Sequence, residues 1–349
     1  MDPEAVARLA GERVPHGSSD DPDLVDFSAN TNPRAPDGTR EVYADAFDAA
    51  RSYPNDGYPA YRRAAAGFVG CDPDRVVPTP GGLAAIRLAA GAFVDAGDRG
   101  LVPRPTFGEY ERELRLQGAT VERVAHDAAL DHDPEPYAVV VVCNPNNPTG
   151  DAYDADALRA YARRCRAAGT VLLVDEAFLG FTDRPSLAGA DGAVVARSLT
   201  KLFGLPGLRA GFSVATGDRR ERLAAARRTW SLSVPAARVG RYCLEQEAFV
   251  QETRERVATE RDRLADRLSD GFEVYAPPAP TGSLSAANAP FLLLDAGESE
   301  RVSRALAAAR EAGIALRDAR TFVGLDSHVR VAVRLPAEND RLCEVLAGV

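Results

Sequence analysis

Short β-branched runs alternate with amphipathic, alanine- and arginine-rich stretches through most of this 349-residue chain, and no other feature constrains its fold as tightly. Strands are expected near Arg75–Val77, Gly100–Pro103, Val121–Val124, Ala138–Cys143, Val171–Val174, Ala193–Ala196 and Gly211–Ala215. Between them, helices are expected near Pro59–Val69, Gly82–Asp95, Tyr110–Gln117 and Asp154–Ala168. Parallel strands need a crossover between them, so this order implies an α/β fold with a mainly parallel sheet and helices on both faces. Residues 219–268 read as one long helix leaving the sheet. The Pro- and Gly-rich stretch Ala276–Gly282 then opens a second unit, with strands at Phe291–Leu294 and Val329–Val333 and helices near Ser299–Ala312 and Ala337–Leu346. The expected organisation is an N-terminal arm with a short helix over 1–26, a large domain over 27–235, and a connecting helix with a small C-terminal α/β domain over 236–349.

Composition narrows the partners. A net charge of −9 and a pI near 5.2 speak against nucleic acid or an anionic membrane. The five cysteines (Cys71, Cys143, Cys165, Cys243 and Cys343) are scattered, with no C-x-x-C, as expected for reduced core thiols and no zinc site. The N-terminus carries no long apolar stretch, and runs such as Ala138–Cys143 are too short to span a bilayer. A soluble, cytoplasmic protein is expected.

One count bears directly on chemistry. Of the 42 lysines and arginines, only Lys201 is a lysine. Arginine serves as a cation or a phosphate clamp, but only a primary amine traps an aldehyde as a Schiff base, most readily when desolvated. Lys201 sits in Ser198-Leu199-Thr200-Lys201-Leu202-Phe203-Gly204-Leu205-Pro206-Gly207-Leu208-Arg209-Ala210-Gly211.

The surrounding motifs suit pyridoxal phosphate, an aldehyde cofactor that acts as an electron sink when a carboxylate holds its ring nitrogen protonated. The buried strand Val171–Val174 ends in Asp175-Glu176-Ala177-Phe178, and ligands in such sheets bind beyond the carboxyl ends of strands. Asp175 is the candidate carboxylate; the alternative is a cap for the following helix. In Cys143-Asn144-Pro145-Asn146-Asn147-Pro148-Thr149-Gly150, a rigid turn after a strand holds three amides, and Asn147 is positioned for the cofactor's ring oxygen. Ser198, Thr200 and Arg209 together match a phosphate monoester, with Gly82 and Leu83 offering amides at a helix start. Phe107 is either a ring to stack on the pyridine or an ordinary core aromatic.

With these residues in place the chain resembles fold-type I pyridoxal-phosphate enzymes of the class I and II aminotransferase group, from Asp26 to Leu346. The resemblance implies a covalent link at Lys201, Asp175 at the ring nitrogen, Asn147 at the ring oxygen, and Ser198 and Arg209 at the phosphate. It also implies that Tyr53 reaches the phosphate of a neighbouring subunit, hence a homodimer with shared active sites. Within the group, threonine-phosphate decarboxylase of cobalamin synthesis and histidinol-phosphate aminotransferase share most motifs. His16-Gly17-Ser18, Asp26-Phe27-Ser28-Ala29-Asn30-Thr31-Asn32-Pro33 and Arg330-Val331-Ala332-Val333-Arg334 look more like the decarboxylase, and Phe178 stands where aminotransferases usually carry a tyrosine. Both relatives imply a small phosphorylated amino substrate. Arg317, Arg330 and Arg334 match arginines aimed at its anionic group, and His16 and Asn32 are candidates to line the pocket from the arm, His16 being equally an exposed loop residue. The chain departs from the group at Pro80-Gly81-Gly82-Leu83-Ala84, where relatives usually carry Gly-Asn-Gly.

Three functions remain open on this reading. The first is decarboxylation of O-phospho-L-threonine, and the second is transamination of histidinol phosphate or a related amino acid. The third is a non-catalytic binding module, for which loss of Lys201 or Asp175 would be the sign.

Overall fold

In the computed structural model, which describes residues 1–277 and 284–349, seven strands form the main sheet. They are β1 (Val76–Thr79), β2 (Arg99–Arg104), β3 (Thr120–Ala125), β4 (Val139–Cys143), β5 (Val171–Asp175), β6 (Ala193–Ser198) and β7 (Gly211–Val214). Their order is β1-β7-β6-β5-β4-β2-β3, parallel except for β7, which runs antiparallel to both neighbours. The link from β6 to β7 holds no crossover helix, so the chain returns in the opposite direction. Of the stretch expected to open the second unit, residues 278–283 lie outside the described residues.

The two faces of this sheet follow the period of two along each strand. Val171 and Leu173 pack with Ala85, Ile86, Ala89 and Ala90 of the helix Gly82–Phe93. Leu172 and Val174 face the other way, toward Tyr61, Ala65 and Tyr161. Continued past the strand ends, the alternation puts Asp175 and Ser198 on the first face and Glu176 and Arg197 on the second. Glu176 Oε2 lies 3.0 Å from Arg197 Nη1 and also accepts from the Ser186 hydroxyl at 2.6 Å, while its Oε1 accepts the Leu187 amide at 2.7 Å. The Arg197 guanidinium stacks over Phe68 at 5.3 Å.

The region expected as one helix over 219–268 is three: Gly217–Ala226, Val234–Leu244 and Glu247–Leu268. Pro235 in the first turn of the second helix cannot continue a preceding one, and Ser233 caps it by accepting from the Ala236 amide at 3.2 Å. Just before, Trp230 takes φ +54 and its amide donates to Asp56 at 2.6 Å. The 22-residue helix Glu247–Leu268 joins the two cores, giving Val250 and Val257 to the first and Leu264 and Leu268 to the second.

A second, antiparallel sheet follows: β8 (Glu273–Val274), β9 (Phe291–Asp295), β10 (Arg317–Asp318) and β11 (His328–Ala332), ordered β8-β9-β11-β10. Its register places Arg317 directly opposite Arg330. The N-terminal arm is tied to this unit, with Val25–Asp26 pairing in parallel with Ile314–Ala315. Among the described residues no helix is long and apolar enough to cross a membrane.

Candidate active site

The carboxyl ends of β4, β5 and β6 lie side by side, with Cys143 opposite Asp175 and Asp175 opposite Ala196. A cavity of about 250 Å³ opens above them, between this edge, the arm and the second sheet. Lys201, Asp175, Asn147, Ser198, Arg209, Gly82, Leu83, Phe107, His16, Arg317 and Arg330 all line it.

Lys201 Nζ donates to the Ala29 carbonyl at 2.7 Å. Burial, aided by the positive charges of Arg330 and Arg209, pulls the amine down from 10.5 to about 8. A base with a lowered folded-state pKa is uncharged in the native protein above about pH 8, while the unfolded lysine stays protonated up to 10.5. Capture of an aldehyde by the cofactor-free protein is therefore expected to rise through pH 8. The penalty this buried amine places on folding is full below pH 8 and is relieved as the pH rises toward 10.5, because the unfolded chain holds the extra proton in that window. Absorbance on adding pyridoxal phosphate across this range checks the first point; a midpoint near 10.5 would contradict a desolvated amine.

Asp175 is buried at the end of β5, accepting from the Tyr110 hydroxyl at 2.7 Å and the Ala177 amide at 2.9 Å. Burial pushes its carboxyl above the usual range, although both hydrogen bonds act in the opposite direction. A desolvated carboxylate gains most from a cation placed against it, as a protonated ring nitrogen would be. Asn147 gives its Oδ1 to Arg330, and no described residue accepts from its Nδ2, which leaves a donor for a ring oxygen. Phe107 stands 5.5 Å from Tyr110, edge-on, and 5.6 Å from His16.

A second group of donors gathers at the start of the helix Gly82–Phe93. Ser198 Oγ and Thr200 Oγ1 are 2.8 Å apart, and Arg209 Nη2 donates to the Pro80 carbonyl at 3.3 Å. Gly81 adopts φ +101, and a Cβ there would lie 2.5 Å from Arg209 Nη2; one on Gly82 would lie 3.0 Å from Ser198 Cβ. Only glycines let this helix start approach the hydroxyls and the guanidinium so closely. At this point the chain offers backbone amides in place of the Gly-Asn-Gly of its relatives. An aldehyde-capturing amine, a buried carboxylate and a phosphate cradle on one strand edge fit pyridoxal phosphate.

The buried Arg317 and Arg330 face each other across β10 and β11. Arg317 Nη2 donates to the Pro15 carbonyl and to Thr321 Oγ1, each at 2.7 Å; Arg330 Nη2 donates to the Ser28 carbonyl at 2.5 Å. Their guanidiniums lie 5.3 and 5.8 Å from the Phe322 ring. Neither has a carboxylate within ion-pair distance among the described residues.

The structure does not bring two of the expected residues, Arg334 and Asn32, into this cavity. Arg334 lies beyond the end of β11, where Glu338 captures its guanidinium at 3.1 Å and the Asp26 carbonyl accepts at 2.9 Å. Asn32 is buried behind the lysine: its Nδ2 donates to the Leu202 carbonyl at 2.8 Å and its Oδ1 accepts from Arg256 at 2.8 Å. It therefore shapes the lysine loop and does not line the pocket. Tyr53 is 77% exposed and stacked on Trp230, with ring centroids 4.0 Å apart. Sequence reasoning missed Tyr110 and Glu109, although they close the same Arg104–Tyr110 run as Phe107.

The family model of aminotransferase class I and II matches residues 22–346. A histidinol-phosphate aminotransferase of Archaeoglobus fulgidus is 29% identical over 334 residues, covering 93% of this chain and 99% of that protein. The threonine-phosphate decarboxylase of Salmonella typhimurium is 30% identical over 344 residues, covering 93% of this chain and 91% of that protein. The crystal structure of L-threonine-O-3-phosphate decarboxylase from Porphyromonas gingivalis superposes with a TM-score of 0.81 at 24% identity, over 92% of this chain and 98% of that one, and shows the same fold. Because the family match takes in every strand that carries the cavity, the chain belongs to the class I and II aminotransferases and is a pyridoxal 5'-phosphate enzyme.

Proposed function

We propose that the chain decarboxylates O-phospho-L-threonine to CO2 and (R)-1-aminopropan-2-yl phosphate, a building block for cobalamin. The facing pair Arg317 and Arg330 carries this reading. Like charges directly opposite on antiparallel strands repel, and burial adds a desolvation cost. An anion from outside relieves both, and an amino acid phosphate brings two anionic groups. Relatives named for threonine-phosphate decarboxylation support the same reading.

Bound pyridoxal phosphate supplies the sink for the electron pair of the bond broken at the substrate's Cα. Asp175 would hold its ring nitrogen protonated, and Ser198, Thr200, Arg209 and the Gly82 helix start would hold its phosphate. Arg317 and Arg330 would hold the substrate's anionic groups and so select its carboxylate, and not its Cα hydrogen, as the group that is lost. Lys201 Nζ then carries a proton to Cα as CO2 leaves. Phe178 lines the cavity with hydrocarbon where a tyrosine would bring a hydroxyl, so contact with the ring oxygen falls to Asn147. The reading includes a homodimer, with the exposed Tyr53 ring reaching the neighbouring site.

The test is incubation of the loaded protein with O-phospho-L-threonine in the absence of any 2-oxo acid, assaying CO2 and the phosphorylated amino alcohol. Repeated turnover is expected. The relatives named histidinol-phosphate aminotransferase favour a second reading, in which Lys201 removes the Cα proton instead. Turnover of histidinol phosphate only when 2-oxoglutarate is added, with no CO2 from O-phospho-L-threonine, would replace the first reading by the second.

A further inference from the structure

We propose that Glu109 is a positioning residue that seats residues 15–17 of the N-terminal arm as a wall of the cavity, and that this seating sets the affinity for the substrate's phosphate. The proposal rests on the reading of the cavity as a site for a phosphorylated amino compound.

Three consecutive arm residues meet three parts of the site. The Pro15 carbonyl accepts from Arg317 at 2.7 Å, and His16 Nε2 lies 2.9 Å from Glu109 Oε1. Gly17 passes so close to the chain after Asp26 that a Cβ on it would lie 2.1 Å from the Ser28 carbonyl oxygen and 3.3 Å from Arg330 Nη2. No other residue type fits that position without lifting the arm. One residue earlier, Val14 packs on Gly108, where an added Cβ would meet Val14 Cγ1 at 3.0 Å.

Besides the Arg317 bond to Pro15, the segment is held by the Ser19 amide donating to Asp26 at 3.3 Å. Among the described residues, no backbone–backbone hydrogen bond involves residues 13–20. Glu109 is buried at the first turn of the helix Glu109–Leu116, whose next residue, Tyr110, holds Asp175. The start of this one helix therefore positions the cofactor's carboxylate partner on one side and the arm on the other. A carboxylate beside a phosphate site repels the ligand unless a neighbouring donor engages it, and His16 is that donor. The imidazole is thereby fixed at the mouth of the cavity, beside Phe107 and on the same arm turn that contacts both arginines.

Two measurements on the loaded protein test the inference, using Glu109→Ala, Glu109→Gln and Gly17→Ala. In the absence of substrate, amide hydrogen exchange over residues 13–18 is expected to accelerate in Glu109→Ala and Gly17→Ala. The KM for O-phospho-L-threonine, taken from initial rates, is expected to rise about tenfold in both with a smaller change in kcat, from loss of a hydrogen bond to a charged group and of the wall it holds. Competitive inhibition by L-threonine, which lacks the phosphate, should change less than about twofold. Glu109→Gln keeps an acceptor for His16 and should stay within about threefold of the unaltered protein. Unchanged exchange and KM in Glu109→Ala would overturn the proposal. So would equal weakening of both ligands with a lowered unfolding midpoint, the mark of a purely structural role. Faster arm exchange in Glu109→Ala, but no preference of the unaltered protein for the phosphorylated ligand, would overturn the phosphate reading of the cavity and the affinity part of this proposal with it.

Discussion

Lys201→Ala is expected to lower turnover of O-phospho-L-threonine by at least about 10,000-fold, because in the proposed mechanism one amine serves both as the carbonyl-capturing nucleophile and as the proton carrier. No other side chain can take over either task at this position. The remaining basic residues are arginines, which do not capture aldehydes, and the neighbouring Ser198 and Thr200 hydroxyls belong to the phosphate cradle. Lys201→Arg is expected to be as inactive as Lys201→Ala, which separates the need for an amine from the need for a positive charge. A second readout does not depend on substrate. Borohydride reduction of the loaded protein should fix the cofactor to one side chain, found by peptide mapping at position 201, and the signal should vanish in Lys201→Ala. Label recovered only on the α-amine of Met1 would remove Lys201 from its assigned role.

Glu176→Ala is expected to destabilise the fold by about 3–5 kcal/mol, the usual cost of leaving one partner of a buried ion pair uncompensated. Glu176 and Arg197 are both buried, and the carboxylate satisfies Arg197, Ser186 and the Leu187 amide at once. Removing it strands a guanidinium whose burial already pulls its pKa below the ordinary value. Chemical denaturation of the cofactor-free protein measures the change. Replacing both partners, as Glu176→Leu with Arg197→Met, is expected to recover most of it, since an apolar pair has no charge to desolvate. A loss below about 1 kcal/mol in Glu176→Ala would mean that water reaches Arg197. The neighbouring residues divide the labour: Asp175 and Ser198 serve the cavity, while Glu176 and Arg197 hold the same two strand ends together from the opposite face.

That division follows from the period of two along β5 and β6, although the sequence motifs mark only Asp175 and Ser198 of the four. Lys201, Asp175, Asn147 and Ser198 were legible for a related reason: each sits at the carboxyl end of a strand or in the loop directly after one, whereas Arg209 precedes β7 and is marked by its motif alone. A short loop on a buried parallel strand has few places to go. The arginines were harder. Arg330 and Arg334 have the same parity, so alternation alone sends both to one face. The strand ends at Ala332, however, and Glu338 in the first turn of the closing helix engages the second guanidinium. Asn32 was drawn toward the pocket by its motif, yet Leu202 and Arg256, distant in sequence, bind its amide from behind. Tyr110 reads as the first apolar residue of a helix, and only the approach of that helix to β5 makes its hydroxyl the partner of Asp175.

The amino-acid sequence by itself determined the α/β class, the mainly parallel sheet and the strand edge on which the chemistry gathers. Hydrophobic period, turn residues and the single lysine are local properties, and local contacts enforce them. Tertiary structure alone decided which arginines oppose each other, without a counter-ion among the described residues, where the helical region after the sheet breaks, and how the arm seats on Glu109. Each of these depends on a hydrogen bond or a steric approach between residues far apart in the chain. Such pairings are selected by packing, which no local pattern encodes.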